Sequence, residues 1–360
     1  MNKAMIHSKA PLRLGLAGGG TDVSPYSDTY GGAILNATVS MYAYAVIEPL
    51  TGGETNNYVN GGDMQSPDYG KIIFHSIDRE ELCQTGLTHF IEYDGNLDLI
   101  KAVYNRIVKD FVKKPLSFKL STYVDAPAGS GLGTSSTLVV AVIGAFAEWL
   151  KLPLGEYDIA HLAYEIERVD LNMAGGKQDQ YSATFGGFNF MEFYDDDKVI
   201  VNPLRIKKEY INELQFNIIL YYIGTSRLSS NIIEAQVENV INKDEKSIEA
   251  MHKLKEQAVM MKEALLKGKL DDIGEILNFG WKYKKRMAGC ISNPVIDEIY
   301  ETALKNGATG GKITGAGGGG FMMFYCPDNA RYGVIKSLQK FGGEFRRYQF
   351  TDLGLETWRI

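Results

Sequence analysis

The chain has 360 residues, of which 45% are hydrophobic and 23% are charged, a composition typical of a globular protein with about two domains. Its formal net charge of −6 argues against nucleic acid as a partner, because nucleic-acid-binding domains usually carry a basic surface. The three cysteines show no Cys-x-x-Cys spacing, which argues against a zinc site or a disulfide framework and favours the reducing cytoplasm.

The first informative segment covers residues 10–22 and reads APLRLGLAGGGTD. Its leucines alternate with Arg13 and Gly15, which predicts a strand whose arginine points away from the leucine face. Such an arginine could face a cleft that holds phosphate or a carboxylate, or it could be an exposed edge residue. Asp22, just after the glycines, could accept hydrogen bonds from sugar hydroxyls or cap a helix.

The second segment has the order strand, glycine loop, helix. Residues 116–124 alternate between apolar and polar, which predicts a half-buried strand, and 137–150 form an apolar run that predicts a buried helix. This run is too short to span a membrane, and no signal peptide is apparent, so we expect no membrane partner. The loop between them reads DAPAGSGLGTSS, and its backbone N–H groups and the helix N-terminus could hold a phosphate. The Walker A pattern is absent, so this loop alone is equally compatible with an ordinary capped helix.

The third segment joins a predicted helix over 156–169 to a glycine turn at 175–176. Glu167 lies near the apolar face of that helix, so its carboxylate is better placed to face the protein interior than solvent. Asp179 follows the glycine turn and could orient a hydroxyl and take its proton, as the catalytic-loop aspartate of protein kinases does. Taken alone, a polar surface loop is the better explanation of Asp179.

After residue 205 the pattern changes to a strand at 216–223, helical stretches at 229–267 and 270–287, and a short helix at 294–306. A third glycine cluster at 315–320 leads into a strand at 321–326, and a helix and a strand end the chain. This mixture of hairpins and crossovers predicts an α+β fold. We expect one domain over 1–204 and a second over 205–360.

Together the three glycine segments resemble the GHMP kinase superfamily, which includes galactokinase, homoserine kinase, mevalonate kinase and phosphomevalonate kinase. The family's second motif, Pro-x-x-x-Gly-Leu-Gly/Ser-Ser-Ser, resembles residues 127–135. The third motif resembles GKITGAGGGGF at 311–321, and the first resembles APLR with GGGTD inside 10–22. The matching segments are spread over nearly the whole chain.

Within the superfamily, the sequence is most similar to the D-glycero-D-manno-heptose 7-phosphate kinases. The similarity lies in the AGGGTD opening, in GKQDQY at 176–181 and in GTSRLS at 224–229. Galactokinases carry Gly-Glu-His-Thr-Asp where this chain has GGGTD, which counts against galactose as the substrate.

The resemblance implies a two-domain α+β fold, with an N-terminal half like ribosomal protein S5 domain 2 and a ferredoxin-like C-terminal half. It implies an ATP-dependent sugar kinase that acts on the anomeric hydroxyl of the heptose 7-phosphate. Asp179 and Arg13 would be catalytic, and Ser135 and Glu167 would hold Mg²⁺. The residues expected to bind the ATP phosphates are Pro127, Gly129, Ser130, Gly131, Leu132, Gly133, Thr134, Ser135 and Ser136. Those expected to bind the sugar are Gly19, Gly20, Thr21, Asp22, Lys177, Arg227, Gly317 and Gly318.

A phosphate on the substrate needs a cationic partner. Arg227 is the first candidate, because it lies in a predicted loop directly after a strand. The basic run KYKKR at 282–286 is the second, although a solvated helix face is the commoner explanation for such a run.

Other functions stay open at this stage. One alternative is a different enzyme of the superfamily, such as a fucose-type sugar 1-kinase or an isoprenoid kinase. Another is a catalytically silent relative that senses sugar and ATP. A dinucleotide-dependent oxidoreductase is disfavoured, because the glycine fingerprint and its ribose-binding acid are absent. A sugar or sugar phosphate and a second copy of the chain, in a homodimer, are the expected partners.

Overall fold

The computed structural model describes residues 5–50, 68–224 and 229–360. The strands in these ranges are β1 (Ile6–Ala17), β2 (Gly32–Pro49), β3 (Lys71–Ser76), β4 (Glu81–Gly86), β5 (Phe118–Val124), β6 (Phe188–Phe193), β7 (Val199–Pro203), β8 (Ile218–Tyr222), β9 (Gly310–Ile313), β10 (Phe321–Tyr325), β11 (Glu344–Arg346) and β12 (Glu356–Arg359). They form two sheets with helices packed against them, which confirms the predicted α+β class.

The helices are α1 (Tyr26–Tyr30), α2 (Asp98–Arg106), α3 (Thr134–Leu150), α4 (Glu156–Glu165), α5 (Gln178–Phe185), α6 (Lys208–Asn217), α7 (Ser229–Ile241), α8 (Glu245–Lys267), α9 (Asp272–Met287), α10 (Pro294–Lys305) and α11 (Ala330–Leu338). Helices α2 and α4 each continue into a π-helical turn, at Ile107–Val112 and Ile166–Asp170, and α11 continues into a 3₁₀ turn at Gln339–Phe341. Within the described ranges, none of the helices combines the length and the apolar character needed to cross a bilayer.

The first sheet is organised around the long strand β2. Its order is β12-β1-β2-β5-β3-β4, and β6 also pairs with β2 and with β7. The first part of β2, Gly32 to Ala37, pairs with β6, whereas Ala43 to Pro49 pair with β5. Helix α3 packs on β1 and β2 with most of its length buried, as the apolar run at 137–150 predicts. The phosphate-loop candidate therefore begins at a strand end and enters a helix that the core holds in place.

The second sheet has the order β11-β8-β10-β9, and all its pairings are antiparallel. Helices α7 to α10 connect β8 to β9, and α11 connects β10 to β11. This βαββαβ connectivity, with the spatial order 4-1-3-2, is the ferredoxin-like arrangement expected for the C-terminal half.

One predicted element is wrong in its extent. Residues 229–267 form two helices instead of one, because the chain turns at Lys243, which has a φ of 55°. Asp244 then caps α8 by accepting a hydrogen bond from the backbone N–H of Ser247 at 2.8 Å. The Asp244 cap satisfies one of the unpaired amides at the helix start, which favours a new helix over a continuous one.

The two halves share a core. The leucine face of β1 packs with Ala258 and Met261 of α8 and with Phe321 of β10. Strand β12, near the end of the chain, also returns to pair with β1. The division at residue 204 stays a prediction, and residues 356–359 join the first sheet.

The cap of α8 can be tested by substitution. We expect Asp244→Ala to lower the free energy of unfolding by about 1 kcal/mol, because the helix loses its side-chain cap. Asp271, at the start of α9, makes no such side-chain cap within the described structure, so Asp271→Ala is the matched control. Denaturant unfolding of both variants measures the difference, and equal losses would contradict the assigned cap.

Candidate active site

The glycine loop between β5 and α3 presents backbone amides to a cavity. Gly129, Gly131 and Gly133 all have positive φ angles, of 73°, 82° and 79°. Helix α3 begins at Thr134, and no side chain of the described residues caps its first turn. Its amide groups are thus free to bind an anion, and the helix dipole favours negative charge at this end. The side-chain-capped helix that the sequence also allowed is not what the structure shows.

The third glycine segment holds this loop in place through backbone hydrogen bonds and close packing. The carbonyl of Ser130 accepts hydrogen bonds from the N–H of Phe321 at 3.0 Å and from the hydroxyl of Thr314 at 3.5 Å. A Cβ atom on Gly131 would lie 2.4 Å from the carbonyl oxygen of Thr314, so this position requires glycine. Residues almost 190 positions apart in the sequence therefore hold one another's backbone in place.

Arg13 connects the loop to the third segment. It lies on β1, opposite the buried leucines, with its side chain 4% exposed. Its Nε and Nη2 atoms both lie 2.7 Å from Oδ1 of Asp179, and its Nη1 donates to the carbonyl of Gly131 at 2.6 Å. Arg13 is therefore within contact of both the donor loop and the candidate catalytic carboxylate.

Asp179 lies in the first turn of α5, where the helix dipole favours a negative charge. Arg13 contacts its Oδ1 atom, while its Oδ2 atom lies on the side of Gly133, 3.1 Å from where a Cβ would be. The side chain is 21% exposed, unlike that of Arg13. One carboxylate oxygen is thus fixed by an ion pair and the other lies beside the glycine loop, in a residue that lines the cavity.

Glu167 is a buried carboxylate on the wall of the same cavity. It lies in the π-helical turn after α4, with its side chain 1% exposed, and it accepts hydrogen bonds from Ser136 and from Nε2 of Gln180. Burial raises the pKa of Glu167, and the positive charge of Arg168, 3.8 Å away, opposes that rise. The helical spacing in the sequence correctly placed this carboxylate on the interior side.

Asp22 is a buried carboxylate that also lines the cavity. Its Oδ2 atom accepts a hydrogen bond from the N–H of Gln178 at 3.0 Å, and burial raises its pKa. A Cβ on Gly176 would lie 1.9 Å from this oxygen, so the glycine allows the 175–179 turn to close over Asp22. The side-chain Oε1 of Gln178 is buried without a hydrogen-bond partner in the described structure.

Lys284 also lines the cavity. The sequence offered the basic run at 282–286 as the second candidate for binding a substrate phosphate, with a solvated helix face as the commoner explanation. The other basic residues of the run are exposed, but Lys284 is buried. The Nζ atom of Lys284 donates to the carbonyl of Gly19 at 3.1 Å, and burial lowers its pKa to about 8. Lys284 follows Leu277 and Trp281 at helical spacing on the buried face of α9, a signal that could have identified it.

A second buried lysine, Lys312, belongs to the third glycine segment. Its Nζ atom donates to the carbonyl of Gly15 at 2.9 Å. Burial lowers its pKa to about 7, and the positive charges of Lys284 and Arg13 act in the same direction. The fold therefore brings Lys284 and Lys312 close enough to Arg13 for their charges to interact.

Apart from Lys312, these groups line one cavity of about 260 Å³. The predicted site residues that line it are Arg13, Gly20, Asp22, Gly129, Gly131, Gly133, Thr134, Ser135, Ser136, Glu167 and Asp179. Lys284, from the second candidate segment for a substrate phosphate, lines it too. Residues that line it but were not predicted include Arg168, Gln178 and Gln236.

Other predicted residues lie outside this lining: Pro127, Ser130, Leu132, Gly19, Thr21, Lys177, Gly317 and Gly318. Thr21 uses its hydroxyl to bridge the carbonyls of Gly18 and Ala33, a structural role. Lys177 directs its ammonium group to Asp197 at 2.7 Å, away from the cavity, so the geometry does not support its expected contact with the sugar. Arg227 lies outside the described residues.

Comparison with known proteins agrees with this arrangement. The family model for the GHMP kinases N terminal domain matches residues 98–187, and that for the GHMP kinases C terminal matches residues 261–344. The chain is 50% identical, over 99% of both sequences, to the D-glycero-alpha-D-manno-heptose 7-phosphate kinase of Campylobacter jejuni.

Solved structures share the fold over the full length. The crystal structure of a D-glycero-D-manno-heptose 1-phosphate kinase from Bacteroides thetaiotaomicron superposes with a TM-score of 0.80 at 44% identity, covering 99% of both chains. Lactococcus lactis galactokinase complexed with galactose gives a TM-score of 0.74 at 16% identity, covering 98% of this chain and 95% of the other, and shows the fold alone. Because half of its residues are shared with a full-length sugar-phosphate kinase and both of its halves match the family models, the chain belongs to the GHMP kinase family, for which ATP is the phosphoryl donor.

Proposed function

We propose that this kinase transfers the γ-phosphoryl group of ATP to the anomeric hydroxyl of D-glycero-D-manno-heptose 7-phosphate. The observation that carries the proposal is the contact of Arg13 with both the phosphate loop and Asp179. It puts a phosphate-binding loop, a guanidinium and a carboxylate at one point of the cavity wall. Phosphoryl transfer needs little more from a protein than positioning and neutralisation of charge.

The donor would lie with its phosphates on the amides of the glycine loop and the first turn of α3. A neighbouring cavity shares Met173 with the main cavity and is also lined by Leu97, Leu138 and Leu171. Leu138 lies one turn into α3, beyond the phosphate loop. This apolar neighbour is the part of the described structure that we assign to the nucleoside.

Asp179 would act on the acceptor hydroxyl through its Oδ2 atom, the oxygen on the cavity side. As the new oxygen–phosphorus bond forms, Asp179 accepts the proton of the hydroxyl, and ADP leaves with the bridging oxygen. Arg13 neutralises charge on the transferred group while its ion pair keeps the carboxylate in place.

The residues around Glu167 fit a divalent cation. Mg²⁺ typically binds one or two carboxylates together with phosphate oxygens and waters, so a dedicated protein cage is not required. Glu167 supplies a buried carboxylate on the cavity wall, and Ser135 lines the same cavity and can supply a hydroxyl. When bound there, Mg²⁺ would neutralise phosphate charge, and Glu167 and Ser135 would hold it.

The acceptor end has polar groups without partners, as a sugar site requires. Gln178 Oε1 and Gln236 Nε2 are both buried and lack hydrogen bonds within the described ranges. Buried polar atoms of this kind are costly unless a ligand pairs with them. Together with Asp22, Gln178 offers acceptors to sugar hydroxyls, and Gln236 offers a donor to an oxygen elsewhere on the acceptor.

The names of the relatives differ in the position of the acceptor's phosphate, at carbon 7 or carbon 1. The experiment that tests the proposal is product identification with Mg-ATP and a panel of heptose 7-phosphate, heptose 1-phosphate, free heptose, fucose and mevalonate. We expect phosphorylation of the 7-phosphate at carbon 1. A preference for fucose or mevalonate would replace the proposed acceptor, and ATP binding without turnover of any member would favour a sensing relative.

The homodimer and the cytoplasmic location stay predictions, to be measured by light scattering and cell fractionation.

We expect Asp179→Asn to lower kcat by about 10² to 10⁴, because the amide keeps the shape of the side chain but cannot accept the proton. The Kd for ATP should change little, since the phosphate loop does not need this carboxylate to bind the nucleotide. Steady-state kinetics and equilibrium nucleotide binding measure both. Wild-type kcat in this variant would remove Asp179 from the proton-transfer role.

We expect Glu167→Gln to lose Mg²⁺-dependent turnover and to unfold at a higher temperature than the wild type at neutral pH. The folded-state pKa of Glu167 is raised, so the wild type loses stability as the pH rises through that pKa and the carboxylate must ionise in a buried site. The difference in stability between the variant and the wild type should therefore shrink toward acidic pH, where Glu167 is protonated in both the folded and the unfolded protein. Thermal unfolding against pH checks this, and a gap independent of pH would contradict the assigned cause.

A further inference from the structure

Lys284 is a buried cation at the acceptor end of the cavity. It lines the same cavity as Asp22 and Asp179, with 5% of its surface exposed. The hydrogen bond that the described structure gives its Nζ atom is to the carbonyl of Gly19. An ammonium group removed from water tends to lose its proton or to bind an anion, and burial lowers the pKa of Lys284 to about 8.

Gln236 lies beside Lys284 with a free donor. It is on the buried face of α7, is 1% exposed, and its Nε2 atom has no hydrogen-bond partner among the described residues. A Cβ on Gly20 would lie 3.2 Å from Lys284 Nζ and 3.3 Å from Gln236 Oε1, so both side chains reach the same point of the wall. Lys284 thus offers an ammonium group and the adjoining Gln236 offers an unpaired amide N–H, donors that favour a ligand rich in acceptor oxygens.

Asp22 is the acid whose charge favours the protonated form of Lys284, and the positive charge of Arg13 opposes it. Asp179 is already paired with Arg13. An anionic ligand beside Lys284 would supply further negative charge and favour the protonated, ion-binding form of the lysine.

Lys284 and the phosphate loop have different immediate neighbours. Gly133 of the loop adjoins Asp179, whereas Lys284 adjoins Gly20. In the proposed mechanism the transferred phosphoryl group lies between the loop and Asp179, so an anion bound at Lys284 would be a second group, on the acceptor.

We propose that Lys284 and Gln236 bind the phosphate group of the acceptor, and that they select a phosphorylated sugar over the free sugar. This inference rests on the proposed function, because it requires an acceptor that carries its own phosphate. It assigns the role to one lysine of the basic run at 282–286. Lys282, on the same helix, is exposed and does not line the cavity.

The proposal has a consequence for stability that a structural role would not have. A buried ammonium that lacks a carboxylate partner destabilises the protein without its ligand. Replacing Lys284 by an apolar side chain of similar length should therefore maintain or raise the Tm while it weakens substrate binding. A lysine needed for packing or for the Gly19 contact would instead lower the Tm when it is replaced.

The test compares Lys284→Met with the matched surface control Lys282→Met, using heptose 7-phosphate and unphosphorylated heptose. For Lys284→Met we expect KM and Kd for the sugar phosphate to rise by about 10- to 100-fold, as for loss of a charged hydrogen bond. We expect unchanged values for the free sugar and an equal or higher Tm, whereas Lys282→Met should match the wild type throughout. Gln236→Leu should weaken sugar-phosphate binding in the same selective way.

Calorimetric binding of each sugar, measured without ATP, separates this inference from the proposed function. A wild type that turns over the sugar but binds the phosphorylated form no better than the free form would overturn the role of Lys284 and leave the kinase proposal in place. A wild type that binds the phosphorylated sugar selectively but never phosphorylates it would refute the kinase proposal, and the Lys284→Met binding data would still decide the inference. If Lys284→Met weakened the binding of both sugars equally, or of neither, the role of Lys284 would also be overturned.

Discussion

The ion pair between Arg13 and Asp179 is the interaction on which the geometry of this site depends. The guanidinium is almost fully removed from solvent, so it needs both the carboxylate and the carbonyl of Gly131. These contacts join β1, the glycine loop and the start of α5. Loss of either charged partner would leave the other buried and unpaired, and would release the loop from the catalytic carboxylate.

Strand β1 serves two purposes because its faces alternate. Its leucines bury their side chains against α8 and β10, which holds the two halves of the chain together. Arg13, between those leucines, points to the opposite side and into the cavity. The position of the guanidinium is therefore set by the hydrophobic core on the other face, and the third glycine segment of the C-terminal half fixes the loop that it contacts.

The cavity wall holds more ionisable groups than a stable core would tolerate. Burial raises the pKa of Asp22 and of Glu167 and lowers that of Lys284 and of Lys312, so in each case the neutral form is favoured. Substrate phosphates, a divalent cation and sugar hydroxyls are the groups that would compensate these charges. Active sites commonly retain such unfavourable contacts because function requires them.

The sequence by itself determined the local elements and the residue types of the site. Alternation in β1 and β5, the apolar run of α3 and the helical spacing around Glu167 each predict structure from neighbours within a few positions, and the order of the glycine motifs was enough to indicate the family. The tertiary structure alone decided which distant groups meet. In the sequence Lys284 belongs to a basic run typical of a helix surface, and only the structure shows it on the buried face of α9. The sequence also suggests Lys177 as a site residue, but the structure pairs its ammonium group with Asp197. The physical reason is that charge pairing depends on contacts between residues far apart in the chain. A pattern along the sequence can indicate which face of a helix is buried, but not which distant groups the side chains of that face meet.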